Sequence, residues 1–273
     1  MRKACLNSVY ELAKNDPRIV FIGSDLGPGV LDEMKQEMPD RFYMEGVSEQ
    51  HIIGLAAGLA MDGYIPFINT IATFITRRCY EQLAIDLCLH DLPVRLIGNG
   101  GGLVYAPLGP THLATEDIAI TRVLPNMTVV APADSDEMCR FMAVSSDWPH
   151  PIYIRLGKGG DPIVTAGQGG FQIGRAVPLR NGADIQIIST GIMSGRALEA
   201  ANILSLNGVE AGVIHMPTIK PLDEYAITAA SSCRLIVTIE EHSKAGGLGS
   251  AVTEFLVDAD LLRETRVLRL GLE

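Results

Sequence analysis

Short apolar runs rich in β-branched residues alternate along the first half of the chain with longer segments whose apolar positions recur at helical spacing. The apolar runs predict strands, at residues 18–23, 64–69, 94–98, 127–131 and 152–156. The amphipathic segments predict helices, at residues 3–15, 49–62, 78–90 and 135–146. Strands that are apolar throughout and separated by helices are typical of a parallel sheet with both faces covered.

The alternation stops at residues 157–170 and then resumes. This segment, GKGGDPIVTAGQGG, is glycine-rich and has no helical periodicity, which favours a linker. Beyond it the pattern predicts strands at residues 184–190, 211–216 and 234–240 and helices at residues 194–207, 222–231 and 248–257. We therefore predict an α/β fold with two open parallel-sheet domains, at residues 1–160 and 173–273, and a linker at residues 161–172. Ligands of such sheets bind beyond the carboxyl ends of the strands.

Charge and cysteine usage narrow the class of protein. A net charge of −10 and a pI near 5.1 argue against a nucleic-acid binder, whose phosphate contacts need a basic face. Charged residues interrupt the first apolar segment at Glu11, Lys14 and Asp16, so no signal peptide is expected. No uninterrupted apolar stretch approaches membrane-spanning length, so no membrane span is expected. The five cysteines are scattered and form no Cys-x-x-Cys pair, which favours reduced thiols. We expect a soluble, cytoplasmic protein.

The segment EGVSEQHIIGLAAGLAMDG at residues 45–63 holds the strongest candidate for chemistry. Ser48 is predicted to cap a helix, and Glu49 then lies in its first turn. By itself, a glutamate there complements the helix dipole, an effect of a few tenths of a kcal/mol. The helix behind it is rich in glycine and alanine and is intrinsically weak. Such a smooth helix suits close packing against another backbone or subunit.

Further segments follow in a fixed order: YIPFINTIATFITRRCYEQ at residues 64–82, GPTHL at 109–113, VLPNMTVVAP at 123–132, IKPLD at 219–223 and EEHSKAGGLG at 240–249. Together with residues 48–51 they resemble transketolases and deoxyxylulose phosphate synthase, across a pyrimidine-binding domain followed by a C-terminal domain. The resemblance covers nearly the whole chain. It implies thiamine diphosphate as the cofactor.

The resemblance also implies roles at the cofactor. Glu49 matches the carboxyl group that hydrogen-bonds the N1′ atom of the aminopyrimidine ring and so makes the cofactor's own amino group basic. Phe74 matches an aromatic ring that stacks on the aminopyrimidine, although an ordinary core phenylalanine is an alternative. Ile71 is also assigned to the cofactor site. Asp25 matches an aspartate near the cofactor, where a structural role is equally compatible.

On the substrate side, His112 matches a histidine that contacts the sugar near the reacting carbon. Arg2 matches an arginine that grips a phosphate, with a mobile terminus as the rival explanation. Either Arg155 or Lys158 matches a second phosphate-binding arginine. Other positions depart from ordinary transketolase: Gly29 and the Gly100 loop replace a serine and a histidine, and Leu108 falls near the position of an aspartate that reads a sugar hydroxyl. These changes leave the donor and acceptor sugars open.

The chain lacks the Gly-Asp-Gly segment of the diphosphate-binding domain. The resemblance therefore implies a separate partner subunit that holds the diphosphate and Mg²⁺, in an assembly with two copies of each chain. We predict no metal ligand in this chain itself. The leading hypothesis is a half-transketolase that transfers a two-carbon ketol unit between sugars or sugar phosphates. Alternatives are half of a deoxyxylulose-phosphate-synthase-like enzyme and a non-catalytic scaffold; a 2-oxo-acid dehydrogenase β subunit fits the motifs less well.

Overall fold

A computed structural model describes residues 1–23, 29–44, 46–157, 159–263 and 265–273 of the chain. The strands are Ile19–Gly23 (β1), Phe42–Met44 (β2), Ile65–Ile71 (β3), Arg95–Asn99 (β4), Thr128–Val130 (β5), Ile152–Leu156 (β6), Val177–Arg180 (β7), Ile185–Ser189 (β8), Ala211–His215 (β9), Thr218–Lys220 (β10), Leu235–Ser243 (β11) and Arg266–Leu272 (β12). The α-helices are Arg2–Asn15 (α1), Asp32–Glu37 (α2), Glu49–Met61 (α3), Ala72–Thr76 (α4), Tyr80–Gln82 (α5), Asp117–Arg122 (α6), Ser135–Ser145 (α7), Met193–Leu206 (α8), Glu224–Ala230 (α9) and Leu248–Asp258 (α10).

The first sheet has the strand order β10-β5-β6-β4-β3-β1-β2. All neighbours from β5 to β2 pair in parallel, and only β10 runs antiparallel. Every residue of β1, β3, β4 and β6 is buried, because helices cover both faces. The predicted α/β class with open, mainly parallel sheets is confirmed, and the antiparallel edge strand is an addition to it.

The second sheet has the order β12-β11-β8-β9-β7. Its central strands β11, β8 and β9 are parallel, whereas β7 at one edge is antiparallel to β9. The sequence pattern did not reveal β7 or β12. Both are edge strands with partly exposed residues, so they lack the continuous apolar run by which the central strands were recognised.

Strand β10 connects the two halves of the chain. It lies beyond the predicted linker, yet it pairs with β5 of the first sheet through Thr218 opposite Val130. The buried side chains of His215, on β9, and Glu137, on α7, add a second connection, with Nε2 of the histidine 2.8 Å from the carboxylate Oε2. The two sheets therefore form one packed unit. The boundaries at residues 160 and 173 remain a prediction.

The helix predicted at residues 78–90 differs in the structure. Helical backbone begins earlier, at Ala72, turns at residues 77–79, and continues through α5 into a π-helical turn at Leu83–Cys88. Thr73, Ile75 and Thr76 are β-branched and favour a strand by propensity, but all three are buried, and packing decides the conformation. No helix in the described residues is long and apolar enough to cross a membrane.

Asp134 fixes the linker to the start of α7. Its buried Oδ1 accepts the backbone N–H groups of Asp136 and Glu137, as an N-cap does. Its Oδ2 accepts the N–H groups of Val164 and Thr165, each at 2.8 Å. Burial opposes the charged carboxylate, but these bonds outweigh burial and lower the pKa of Asp134 below its ordinary value of 3.8.

We expect Asp134→Asn to lower the free energy of unfolding by about 1–3 kcal/mol at pH 7, because a charged acceptor of several hydrogen bonds is lost. The folded-state pKa lies below the unfolded one, so this contribution is complete above the unfolded value and disappears as pH falls through the folded value. Urea unfolding at pH 7 and pH 3 measures it. The difference between wild type and variant should shrink at pH 3.

Asp136→Asn is the matched control, since Asp136 is the exposed neighbour in the same helix turn. It should stay within about 0.5 kcal/mol of wild type. An equal loss in both variants would contradict the role given to Asp134.

Candidate active site

Glu49 is the first residue of α3 and is almost completely buried. The helix follows β2, so its amino end lies at the carboxyl edge of the first sheet, where ligands of parallel sheets bind. The alanines at positions 56, 57 and 60 of α3 face the core. Gly54 and Gly58 face outward, and a Cβ atom placed on Gly58 would have no neighbour within 4 Å. Among the described residues, nothing therefore packs over α3 at Gly58.

Arg78 is the ion-pair partner of Glu49. Its Nη1 lies 2.7 Å from the carboxylate Oε2. The side chain of Glu49 is 4% exposed and that of Arg78 is 41% exposed, so a buried carboxylate is paired with a cation that reaches solvent. The sequence reasoning did not single out Arg78. The available signal was its position four residues after Phe74. This spacing brings two side chains together where the chain is helical or turns, and neither was predicted for residues 72–77.

The ring of Phe74 contacts both Arg78 and His112. The guanidinium carbon of Arg78 is 4.3 Å from the centre of the Phe74 ring, a cation–π distance. The same ring meets the imidazole of His112 in an edge contact, with centroids 5.1 Å apart. Tyr105, which the sequence reasoning also missed, meets the same imidazole at 6.4 Å. The structure thus brings together three predicted residues, Glu49, Phe74 and His112.

The loop that carries His112 is fastened to α4 and the turn after it. Thr73 Oγ1 donates to the carbonyl oxygen of Thr111 at 3.1 Å, and Arg77 donates to that of Leu113 at 2.6 Å. The hydroxyl of Thr111 lies 2.9 Å from Nδ1 of His112 and therefore restricts the imidazole's orientation. Ile71, the buried last residue of β3, immediately precedes α4.

Arg155 faces the interface between the two halves. Its Nε lies 2.7 Å from Oδ2 of Asp117, and its Nη2 donates to the carbonyl oxygens of Ala114 and Glu241. Burial disfavours the charged guanidinium, yet the Asp117 carboxylate outweighs it and raises the pKa of Arg155. The hydroxyl of Tyr153 donates to the same Oδ2 at 2.7 Å. These contacts commit Arg155 to packing in this structure, and its substrate role remains a prediction.

The remaining predicted positions are less informative. Arg2 is the first residue of α1 and is partly buried. Asp25 and Lys158 lie outside the described residues. Leu108 is exposed in a short 3₁₀ turn near the histidine loop. Gly100 has a φ of +77°, in the left-handed region that favours glycine, and a Cβ atom there would lie only 2.2 Å from the nearest atom of the Tyr105 ring.

The donor set fits one end of the implied cofactor. A buried carboxylate beside a partly exposed aromatic ring suits an aminopyrimidine, which has one hydrogen-bonding edge and two flat faces. Across the described ranges, no group of three or more histidine, cysteine, aspartate or glutamate side chains is arranged to hold a metal ion. The residues present therefore fit the pyrimidine end of thiamine diphosphate.

Comparison with known proteins identifies both halves. The family model described as transketolase, pyrimidine binding domain, matches residues 1–160. The model described as transketolase, C-terminal domain, matches residues 174–273. One of the subunits of the apulose-4-phosphate transketolase of Phocaeicola vulgatus is 36% identical over 258 residues, which cover 93% of this chain and 83% of that protein.

Two further similarities differ in coverage. A solved structure described as a split gene transketolase, inactive beta4 tetramer, has a TM-score of 0.91 and 36% identity, and the match covers 100% of this chain and 88% of that one. A 1-deoxy-D-xylulose-5-phosphate synthase of Synechococcus sp. is 39% identical over 271 residues, or 97% of this chain. The chain spans only 41% of the length of that synthase.

We expect Asp117→Asn to destabilise the protein by about 3–5 kcal/mol, because it leaves the buried guanidinium of Arg155 without its carboxylate. The measurement is urea unfolding at neutral pH. Glu116→Gln is the matched control, since the neighbouring Glu116 pairs with Arg77 at the surface and its loss should cost less than about 1 kcal/mol. Equal effects would contradict a buried, interface-holding pair.

Proposed function

The chain belongs to the transketolase family, and we propose that it is one subunit of a two-chain, thiamine-diphosphate-dependent enzyme that transfers a two-carbon ketol unit between sugars or sugar phosphates. The observation that carries the proposal is the buried Glu49 carboxylate at the carboxyl edge of the first sheet, joined through Arg78 to Phe74, whose ring contacts His112.

A second subunit would complete the site. The names of two relatives, a subunit of an apulose-4-phosphate transketolase and a split gene transketolase, support a separate partner chain. This partner would hold the diphosphate group and Mg²⁺ through a Gly-Asp-Gly segment, in an assembly with two copies of each chain. The outward glycine side of α3 is compatible with close contact to such a partner.

When bound, thiamine diphosphate supplies a nucleophilic carbon for making and breaking bonds next to carbonyl groups. Glu49 would hold a proton at the N1′ atom of the aminopyrimidine, since its carboxylate is shielded from water and accepts a hydrogen bond strongly there. Phe74, with Ile71 immediately before α4, would fix the plane of that ring. Asp25 is retained in this proposal as a residue near the cofactor.

The substrate side follows from the same edge of the sheet. His112 would hydrogen-bond the sugar close to the reacting carbon, with its imidazole oriented by Thr111 and by the rings of Phe74 and Tyr105. Arg2, with Arg155 or Lys158, would hold a phosphate group if the sugar carries one. For Arg155 this requires release of Asp117.

A second candidate is the corresponding half of an enzyme that condenses pyruvate with an aldehyde. The specific observation in its favour is the 39% identity over 271 residues to a 1-deoxy-D-xylulose-5-phosphate synthase. Leu108 is exposed and apolar, and it lies near the position where transketolases have an aspartate that hydrogen-bonds a sugar hydroxyl. This chain therefore has no polar side chain at Leu108 for that contact.

The test is to co-express this chain with a companion that carries a Gly-Asp-Gly segment, add thiamine diphosphate and Mg²⁺, and assay ketol transfer between sugar phosphates. We expect activity only with both chains. Glu49→Gln should reduce kcat by about 10²–10⁴, the usual contribution of a positioned acid–base group. Consumption of pyruvate with an aldehyde, without ketol transfer, would favour the second candidate.

Glu81→Gln serves as the control, because Glu81 is exposed on α5 in the segment that follows Phe74. Its kcat should equal that of the wild type. Full activity of this chain alone, or an unchanged kcat in Glu49→Gln, would overturn the proposal.

A further inference from the structure

Arg78 contacts the same two groups that the proposed function assigns to the aminopyrimidine ring. Its Nη1 donates to Glu49 Oε2 at 2.7 Å, and its guanidinium carbon stands 4.3 Å from the centre of the Phe74 ring. A guanidinium group is flat, carries N–H donors at its edge and presents a face to an aromatic ring. The aminopyrimidine with a proton on N1′ has the same three properties.

The two groups compete for these contacts. The carboxylate of Glu49 is buried, so few directions of approach remain open to it. The guanidinium of Arg78 already takes one of its oxygens and lies against the ring of Phe74. A cofactor ring that stacks where the guanidinium lies on Phe74 and hydrogen-bonds the same oxygen of Glu49 would therefore displace Arg78.

The ion pair with Arg78 stabilises the buried Glu49 carboxylate when no cofactor is bound. A carboxylate that is removed from water and left without a partner is strongly unfavourable. Arg78 supplies that partner in the free subunit. Its own side chain is 41% exposed, so on release its charge returns to water rather than becoming buried and unpaired.

The backbone supports a side chain that changes position. Arg78 lies in the turn at residues 77–79, between α4 and α5, and not within a regular helix. The neighbouring Arg77 lies in the same turn but points elsewhere, to Glu116 and to the carbonyl oxygens of the histidine loop. Only one of the two consecutive arginines therefore occupies the candidate cofactor site.

We propose that Arg78 is a placeholder for the aminopyrimidine ring: it neutralises Glu49 and covers Phe74 in the free subunit, and it swings to solvent when the cofactor binds. This inference rests on the proposed function, because it needs the cofactor to bind at Glu49 and Phe74. Arg78 is then a positioning residue. The larger the fraction of molecules in which Arg78 is paired with Glu49, the lower is the apparent affinity for the cofactor.

The first measurement is the affinity of thiamine diphosphate, in the presence of Mg²⁺, for the complex of this chain with its partner. Isothermal titration calorimetry measures it. Arg78→Met keeps an apolar stem of similar length and removes the guanidinium. We expect it to bind the cofactor about five- to ten-fold more tightly than the wild type. A lost structural contact would weaken binding, so the direction of the change separates the two roles.

The second measurement is the thermal unfolding of the isolated chain without cofactor. Arg78→Met should lower its Tm, because Glu49 is left buried without a cation. Arg18→Met is the matched control: Arg18 pairs with Asp16 at the surface, at the opposite edge of the first sheet. Its Tm should change little and its cofactor affinity should equal that of the wild type.

A double-mutant cycle tests whether Arg78 acts through Glu49. In the Glu49→Gln background the carboxylate is absent, so the tightening caused by Arg78→Met should fall below about two-fold. Weaker cofactor binding in Arg78→Met, or the same tightening in both backgrounds, would overturn the placeholder. Failure of the wild-type complex to bind thiamine diphosphate would instead overturn the proposed function.

Discussion

A carboxylate removed from water needs a partner, and this constraint shapes both the fold and the candidate site. Three buried carboxylates meet it in different ways. Asp134 accepts hydrogen bonds from backbone N–H groups of α7 and of the linker. Asp117 is held by a buried guanidinium and a tyrosine hydroxyl between the halves. Glu49 alone of these three is held by a side chain that reaches solvent. The first two arrangements use buried partners, whereas the partner of Glu49 is 41% exposed.

The position of Glu49 follows from the parallel sheet. The chain leaves β2, β3 and β4 at one edge, and the next residues along each path include Glu49, Phe74 and His112 respectively. Because parallel strands end on the same side, residues distant in sequence meet there, and His112 is carried by the irregular segment between β4 and α6. The rings meet at this edge, with centroids 5.1 Å apart for Phe74 and His112 and 6.4 Å apart for Tyr105 and His112.

Much of this organisation was accessible from the sequence. The central strands are continuous apolar runs, and Glu49 stands at a predicted helix start within a recognisable segment. The edge strands β7, β10 and β12 were not accessible, since short or half-exposed strands carry little periodic signal. Arg78 was missed for a different reason. Its contact with Glu49 spans 29 residues and depends on a turn at residues 77–79, where the sequence pattern predicts the start of a helix.

Strand β10 has a consequence for how such a chain can be divided. It belongs by sequence to the second half but completes the edge of the first sheet beside β5. A cut between the halves would leave β5 as an open edge with unpaired backbone groups, which invites pairing with other chains. A division at the boundary between the two family models therefore separates two hydrogen-bonded strands, although each half matches a family model of its own. The backbone hydrogen bonds between β10 and β5 cross the boundary between the two halves.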